Sequence, residues 1–223
     1  MRSRSRTDAP VSRRSPKAPN NPPVPLTLTP ADVRTWTGSL LRIAPTQSAH
    51  PIPYGALRTD GPVAGQRWDP HPAGPPKEHP PRYGVLYTAS TLAAACAETN
   101  QSTRMIDRHT DTPVITVWSP MRPLQLLDLG PRSSWLIRHR ASASLITRPA
   151  PHGQSWARDI VAALGDQIDG LCVPSSMTGT NVVLFGRAGK TFPAFPSNRM
   201  PLNDPAIFPL LQKIATKVGY GLL

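Results

Sequence analysis

Proline restricts the secondary structure of this chain more than any other residue, because it accounts for 29 of the 223 positions. A proline lacks the backbone N–H and interrupts the interior of a helix or of a central strand. Five prolines follow Pro70 before Arg82 is reached, so residues 69–81 are predicted to form a loop. We interpret this loop as an inert insertion, with a lid over a site as the alternative.

The first 26 residues form a basic, proline-rich segment whose apolar side chains are isolated. Residues 1–25 carry six arginines and lysines against one aspartate, a large share of the net charge of +12. Such a segment cannot bury enough apolar surface to offset the entropy lost on ordering, so a disordered tail is expected over residues 1–26. It is interpreted as solvated chain, with a tether to nucleic acid or another acidic partner as the alternative. Residues 27–223 are expected to form a single domain.

No stretch of the sequence has the continuous apolar run of a signal peptide or a membrane span. We therefore expect no membrane partner and a cytoplasmic location. Cys96 and Cys172 lack the spacing of metal or redox motifs, and each is expected to be a small buried hydrophobic residue outside any disulfide.

Short strands and separated helices follow one another without regular alternation, which indicates an α+β fold. Thr29 and Ser90 are predicted N-caps, and Gly170 is the predicted end of the helix before it. Helices are predicted over residues 29–36, 90–98, 155–168 and 204–219, and strands over residues 40–43, 84–88, 114–118, 124–128, 171–174 and 181–185.

Four polar residues lie beside apolar residues or turns, where their side chains could have either a structural or a chemical role. Arg42 lies inside an apolar strand, and Arg67 lies between a glycine turn and an aromatic ring. Ser175 ends a strand, and Glu98 lies on an alanine-rich helix. An arginine in either setting can bind an anion, and a carboxylate beside apolar residues is costly unless it is exposed, paired or used. Taken singly, each of the four is more often a surface side chain.

Several other chemistries lack their motifs in this sequence. His71, Glu78 and His79 could ligate a metal, but the proline-rich loop gives them no fixed geometry, and no metal site is expected. The chain contains no P-loop, no GxGxxG and no GxSxG nucleophile elbow, which argues against a nucleotide-binding domain of these types and against a serine hydrolase.

The order of the motifs resembles that of the RES-domain family, which is named for an arginine, a glutamate and a serine. Arg42 in an early strand comes first and is followed by Gly-Gln-Arg-Trp-Asp-Pro at residues 65–70. A block from Gly84 to Glu98 comes next, and Pro-Ser at 174–175 precedes Asn-Val-Val-Leu-Phe at 181–185. The likeness covers residues 40–186, and its most specific part runs from Tyr87 to Glu98.

This resemblance implies an ADP-ribosyltransferase-like core of short mixed strands with flanking helices. It also implies a bacterial toxin that degrades NAD by phosphorolysis or hydrolysis and is neutralised by an Xre-like antitoxin protein. Arg42, Glu98 and Ser175 would be the catalytic residues, and Arg67 and Tyr87 would bind NAD. NAD would be the substrate, inorganic phosphate a candidate co-substrate, and no separate cofactor is implied.

The sequence departs from the family pattern at a few positions and leaves two other functions open. Leu41 and Ile43 stand beside the first arginine where relatives often have an aromatic residue, Asp69 replaces a frequent asparagine, and Val173 replaces a frequent tyrosine. An acid at position 69 is expected to weaken phosphate binding if it faces the site. The alternatives are an ADP-ribosyltransferase that modifies a protein target and, from the basic charge alone, a nucleic-acid-binding or scaffold protein.

Overall fold

The computed structural model of the protein describes residues 19–48, 51–141, 144–175 and 177–223. Its strands are β1 (Val33–Trp36), β2 (Leu40–Pro45), β3 (Asp60–Gly61), β4 (Lys77–Glu78), β5 (Val85–Ala89), β6 (Met105–Ile106), β7 (Pro113–Trp118), β8 (Leu124–Asp128), β9 (Gly170–Pro174), β10 (Thr180–Phe185), β11 (Asn198–Pro201) and β12 (Gly221–Leu222). Its α-helices are α1 (Leu92–Thr99), α2 (Ser134–Arg138), α3 (Ser144–Thr147), α4 (Ala150–Leu164) and α5 (Phe208–Val218). Short 3₁₀ helices lie at Pro30–Asp32, Pro81–Tyr83, Gly186–Thr191 and Pro205–Ile207.

Eight of the described strands form one mixed sheet in the order β1-β8-β9-β10-β5-β2-β7-β11. Its neighbouring pairs are antiparallel except β8 and β9, which are parallel. Within the described ladder, β2 joins β5 only through Leu41 and Ala89. Further along β5, Val85 instead exchanges two backbone hydrogen bonds of 3.0 Å with Arg58, which precedes β3. The sheet is therefore split between β2 and β5 over most of their length.

Helices cover one face of this sheet in two groups, and irregular chain covers the other face. Helices α2 and α4 pack on β8, β9, β10 and β5 through Trp135, Trp156 and Ile160. Helices α1 and α5 pack on β2 and β7 in a second cluster. The opposite face buries a third cluster, in which Trp118 and Phe192 lie against β2 and β5. Because strand residues alternate between the faces, neighbours along β2 belong to different clusters. The predicted α+β fold is confirmed.

The helix predicted over residues 29–36 is wrong beyond its first turn. The backbone N–H of Thr29 donates to the Asp32 carboxylate at 2.7 Å, so the predicted cap is present, but it closes only a 3₁₀ turn. The following residues Val33–Trp36 form β1, which pairs with β8. Two β-branched residues and a tryptophan favour a strand when an open sheet edge is available, and this pairing outweighs the helix-start signal.

The helix predicted over residues 155–168 is real but shifted. Helix α4 starts five residues earlier, at Ala150, and ends at Leu164 with Gly165 as its C-cap. Gly170 is not the end of this helix, because it opens β9 instead. A Cβ at Gly170 would lie 2.0 Å from the carbonyl oxygen of Val183 on β10, so close strand packing requires glycine there.

The remaining strand and helix predictions agree with the structure to within a few residues. Strand β8 has the predicted bounds, and α5 follows a 3₁₀ turn in which Asp204 Oδ1 accepts a hydrogen bond from the N–H of Ala206 at 2.8 Å. Cys96 and Cys172 are free and buried, as predicted. None of the described helices is long and apolar enough to cross a membrane.

The N-terminal segment differs in part from its predicted tail. Residues 19–26 lie against the helices: Trp156 Nε1 donates to the Pro19 carbonyl at 3.0 Å, Ser155 Oγ donates to Asn21 Oδ1 at 2.7 Å, and Leu26 packs against the first cluster. In the structure these residues belong to the folded domain. Residues 1–18 lie outside the described part of the chain.

Candidate active site

Glu98 is held in place by helix α1, which begins directly after β5. Thr91 is the N-cap of this helix, and its Oγ1 accepts a hydrogen bond from the N–H of Ala94 at 3.1 Å. The predicted cap, Ser90, accepts from the N–H of Thr180 at 3.2 Å instead. Ala94 to Ala97 are buried against the second cluster, whereas Glu98 is half-buried. The alanine face thus anchors the helix and leaves the carboxylate at its border.

Ser175 reaches Glu98 from the end of β9. Its Oγ donates to Glu98 Oε1 at 2.6 Å and accepts from the N–H groups of Met177 and Thr178, each at 3.1 Å. A serine hydroxyl has one proton, and the two N–H groups occupy its lone pairs, so that proton points to the carboxylate. Within the described residues no hydrogen bond reaches the second carboxylate oxygen of Glu98, Oε2, so a ligand can bind it. Among the described residues no histidine contacts Ser175, so the hydroxyl lacks the base that a serine nucleophile uses.

Tyr87, at the centre of β5, is linked to Arg67 through the neighbouring residue Trp68. The phenolic oxygen of Tyr87 accepts a hydrogen bond from the N–H of Trp68 at 2.8 Å. Burial raises the pKa of Tyr87, so the phenol keeps its proton and can donate it to a ligand. Arg67 Nε donates to the Arg148 carbonyl at 2.9 Å, and its side chain crosses α4 at Gly153, where a Cβ would lie 2.3 Å from Arg67 Cγ. This close approach fixes the course of Arg67.

Asp69 follows this arginine but does not face the site. Its side chain is fully buried and pairs with Arg58 at 2.8 Å and with Nδ1 of His71. Burial alone would raise the pKa of Asp69, but hydrogen bonds from His71, Val63 and Arg58 hold it well below its usual range. The negative charge is therefore compensated within the fold and does not act on a phosphate. Sequence reasoning missed Arg58 and His71, because nothing in their own surroundings marks them as partners.

The proline-rich loop of residues 69–81 is attached to the domain at several points. His71 is fully buried, and the His79 ring nitrogen Nε2 lies 3.1 Å from the Gly61 carbonyl. Lys77 and Glu78 form β4, which pairs with β3. The loop thus carries two buried histidines and a short strand. No group of histidine, cysteine, aspartate and glutamate side chains in the described residues could hold a metal ion; His50 lies outside them.

Arg42 lies in a different place from the other predicted site residues. Arg42 and Ile43 are consecutive residues of β2, so their side chains point to opposite faces of the sheet. Because Ile43 packs below α1, Arg42 lies on the face away from that helix. There it lines a cavity of about 50 Å³ together with Tyr54, Thr116 and Arg199. Within the described residues no hydrogen bond or ion pair reaches Arg42, and burial lowers its pKa to about 10.

The structure therefore arranges the five predicted residues in three groups. Glu98 and Ser175 are hydrogen-bonded, Tyr87 and Arg67 are adjacent through Trp68, and Arg42 contacts none of these within the described residues. The first two groups lie on the helix-covered side of the sheet, and Arg42 lies beside the split between β2 and β5. Sequence reasoning missed Arg199, whose only signal is its position in a late strand.

Comparison with known proteins agrees with this architecture. No curated protein sequence matches the chain. Among solved structures, the toxin chain of the M. tuberculosis MbcT–MbcA toxin–antitoxin complex superposes with a TM-score of 0.51 at 16% sequence identity, over 83% of this chain and 93% of that chain. The fold is ADP-ribosyltransferase-like, as predicted. Residues 13–203 match the RES domain, and the protein therefore belongs to the RES-domain family.

Proposed function

We propose that this protein degrades NAD by cleaving the bond between nicotinamide and ribose. The observation that carries the proposal is the 2.6 Å hydrogen bond from Ser175 to Glu98, which orients a half-buried carboxylate on the side of the sheet where Tyr87 and Arg67 also lie. Membership of the RES-domain family supports the same reaction class.

The chemistry places specific demands on the carboxylate. As the glycosidic bond breaks, its electron pair leaves with nicotinamide, and positive charge develops on the anomeric carbon and ring oxygen of the ribose. In the proposal Glu98 stabilises this charge and holds a ribose hydroxyl or the incoming nucleophile with its free oxygen. Ser175 keeps the carboxylate oriented, Tyr87 contacts the nicotinamide ring, and Arg67 binds a phosphate oxygen of the substrate. The acceptor is inorganic phosphate or water, which gives ADP-ribose 1-phosphate or ADP-ribose.

The test is NAD consumption by the pure protein, with and without inorganic phosphate. Glu98→Gln is expected to lower the initial rate by at least about 100-fold, because it removes a charge that acts in the transition state. Glu78→Gln is the matched control, because Glu78 is exposed on β4, which pairs with β3 outside the eight-stranded sheet. An unchanged melting temperature shows that Glu98→Gln keeps the fold. A Glu98→Gln protein with wild-type activity refutes the role of this residue, and a wild-type protein that leaves NAD intact refutes the proposal.

We further propose that the protein acts in the cytoplasm as the toxin of a toxin–antitoxin pair and is neutralised by an Xre-like antitoxin. The solved structure it resembles is that of a toxin bound to its antitoxin, and NAD is an intracellular metabolite. Induced expression is expected to lower cellular NAD and stop growth, and Glu98→Gln is expected to be harmless. Co-expression of the adjacent helix-turn-helix gene product, if present, is expected to restore growth and to co-purify with the protein.

The ADP-ribosyltransferase-like fold also favours a second candidate function, in which ADP-ribose is transferred to a protein. Intact-protein and peptide mass spectrometry of treated cell extract separates the two. A modified protein that accumulates in step with nicotinamide release supports transfer, and free ADP-ribose or its phosphate supports degradation.

A further inference from the structure

Arg42 and Arg199 lie in one row across the sheet. Arg42 on β2 and Arg199 on β11 both pair with Thr116 of β7, one from each side. Because directly paired residues point to the same face, the three side chains stand next to each other above β7. All three line the same cavity of about 50 Å³, on the face of the sheet opposite α1. Two arginines thus flank one threonine in a single row.

This row concentrates positive charge that the described part of the chain does not neutralise. The described residues lining the cavity include no aspartate or glutamate, and no described ion pair involves Arg42 or Arg199. The Tyr54 hydroxyl is occupied, since it donates to the Pro193 carbonyl at 3.1 Å. Two positive charges on either side of one residue, with no acidic side chain beside them, favour binding of an anion between them.

We infer that this row is a phosphoryl subsite, in which Arg42 and Arg199 bind one phosphate group from two sides and Thr116 donates a third hydrogen bond. Two guanidinium groups match inorganic phosphate, whose charge approaches −2 near neutral pH, or the two charges of a pyrophosphate, better than the single charge of a carboxylate. Their planar forks also fit its oxygens in pairs. The cavity has room for about two water molecules, which suits a phosphate group better than a nucleoside.

The inference rests on the proposed function for the source of the phosphate. That source is either free inorganic phosphate or a phosphoryl group of NAD itself. Arg199 lies on the edge strand β11 and is exposed. It is therefore the more accessible of the two arginines, and its side chain can close over a bound anion. It is a binding residue that neither the family motifs nor the local sequence single out.

The test measures binding without turnover, by isothermal titration of inorganic phosphate and separately of ADP-ribose. Arg199→Gln is expected to weaken binding of at least one of these ligands by about tenfold or more, because a charge-assisted hydrogen bond is lost. Arg199→Lys should retain part of the affinity. Arg140→Gln is the matched control, because it removes the same charge at an exposed position after α2.

The ligand whose binding is weakened identifies the source of the phosphate group. If Arg199→Gln weakens phosphate binding alone, and phosphate does not compete with ADP-ribose, the subsite takes free phosphate. If ADP-ribose binding weakens and phosphate competes with it, the subsite takes a phosphoryl group of the nucleotide. Affinities within twofold of wild type for both ligands overturn the inference. A wild-type protein that binds phosphate through Arg199 but leaves NAD intact would reject the proposed reaction and keep the subsite.

Discussion

Replacing Arg42 by methionine is expected to stabilise the ligand-free protein. Burial lowers the pKa of Arg42 from 12.5 to about 10, and no partner among the described residues compensates for the lost hydration. Each pKa unit corresponds to about 1.4 kcal/mol, so the fold disfavours the charged side chain by roughly 3 kcal/mol at most. Methionine has a similar length and carries no charge, so we expect the free energy of unfolding to rise by about 1–2 kcal/mol. The remainder of the cost of the buried charge is not recovered, because methionine packs imperfectly in its place.

The assay is thermal unfolding in a buffer free of phosphate and sulfate. For a domain of this size, a gain of about 1–2 kcal/mol corresponds to a rise in melting temperature of roughly 2–8 °C. The cost of the charge is present while Arg42 is protonated. The difference in unfolding free energy between Arg42→Met and the wild type should therefore be constant near neutral pH and should narrow above about pH 10. Arg199→Met serves as a comparison and should change stability little, because Arg199 is exposed.

Phosphate is expected to reduce this difference in stability between the two proteins. A ligand that binds only the native state stabilises it in proportion to the logarithm of its concentration, so millimolar phosphate should raise the melting temperature of the wild type and leave Arg42→Met unchanged. A lower melting temperature for Arg42→Met in phosphate-free buffer would refute the reasoning, because Arg42 would then stabilise the free protein through an interaction that the described residues do not contain.

Three further substitutions test the surrounding site. Ser175→Ala should lower the NAD turnover rate by roughly 10- to 100-fold, since Glu98 loses a hydrogen bond to its charged form; an unchanged initial rate would contradict the orienting role. Asp69→Asn breaks a buried ion pair and should cost about 3 kcal/mol in urea unfolding at pH 7. Because the pKa of Asp69 is lowered, that stability declines progressively in the wild type as pH falls below about 4, so the difference in unfolding free energy should narrow below pH 4 and close only well below pH 3, and a constant difference would be the contrary result. Gly153→Ala should displace Arg67 and raise the KM for NAD more than it lowers kcat, with an equal loss in both arguing against a binding role for that arginine.

The elements that sequence reasoning predicted well are those whose signals are local. The strand of residues 124–128 and the strand–turn–helix from Val85 to Thr99 follow from alternation, a capping residue and an alanine run. The helix expected over residues 29–36 does not form beyond its first turn, because this segment pairs with the edge of β8, about ninety residues away in the sequence. Gly170 was interpreted as a helix end because a glycine near the end of an apolar stripe resembles a C-cap. Its actual cause, contact with Val183, is a property of the assembled sheet.

The candidate site shows the same difference between what local sequence signals predict and what only the assembled fold determines. The resemblance to a family singled out Glu98 and Ser175, which are 77 positions apart in the chain and hydrogen-bonded in the structure. It could not single out Arg199, because the relation of this residue to Arg42 exists only through the register of three strands. The expected effect of Asp69 on phosphate binding does not arise in the fold, because the carboxylate is turned to Arg58 and buried.

Asp69 and Arg42 are both charged side chains withdrawn from solvent, and the difference between them points to function. Asp69 has the counter-charge of Arg58 and a hydrogen bond with His71 within the fold, so its burial needs nothing from outside the chain. Arg42 has none among the described residues, and the nearest side chain in its row on the far side of Thr116 is a second arginine. A sequence under selection for stability alone would place an apolar residue at position 42, as it does at Leu40 and Ile43. A charged side chain withdrawn from solvent without an internal counter-charge is expected where a bound ligand supplies the opposite charge. The ligand that balances two arginines is an anion with more than one negative charge.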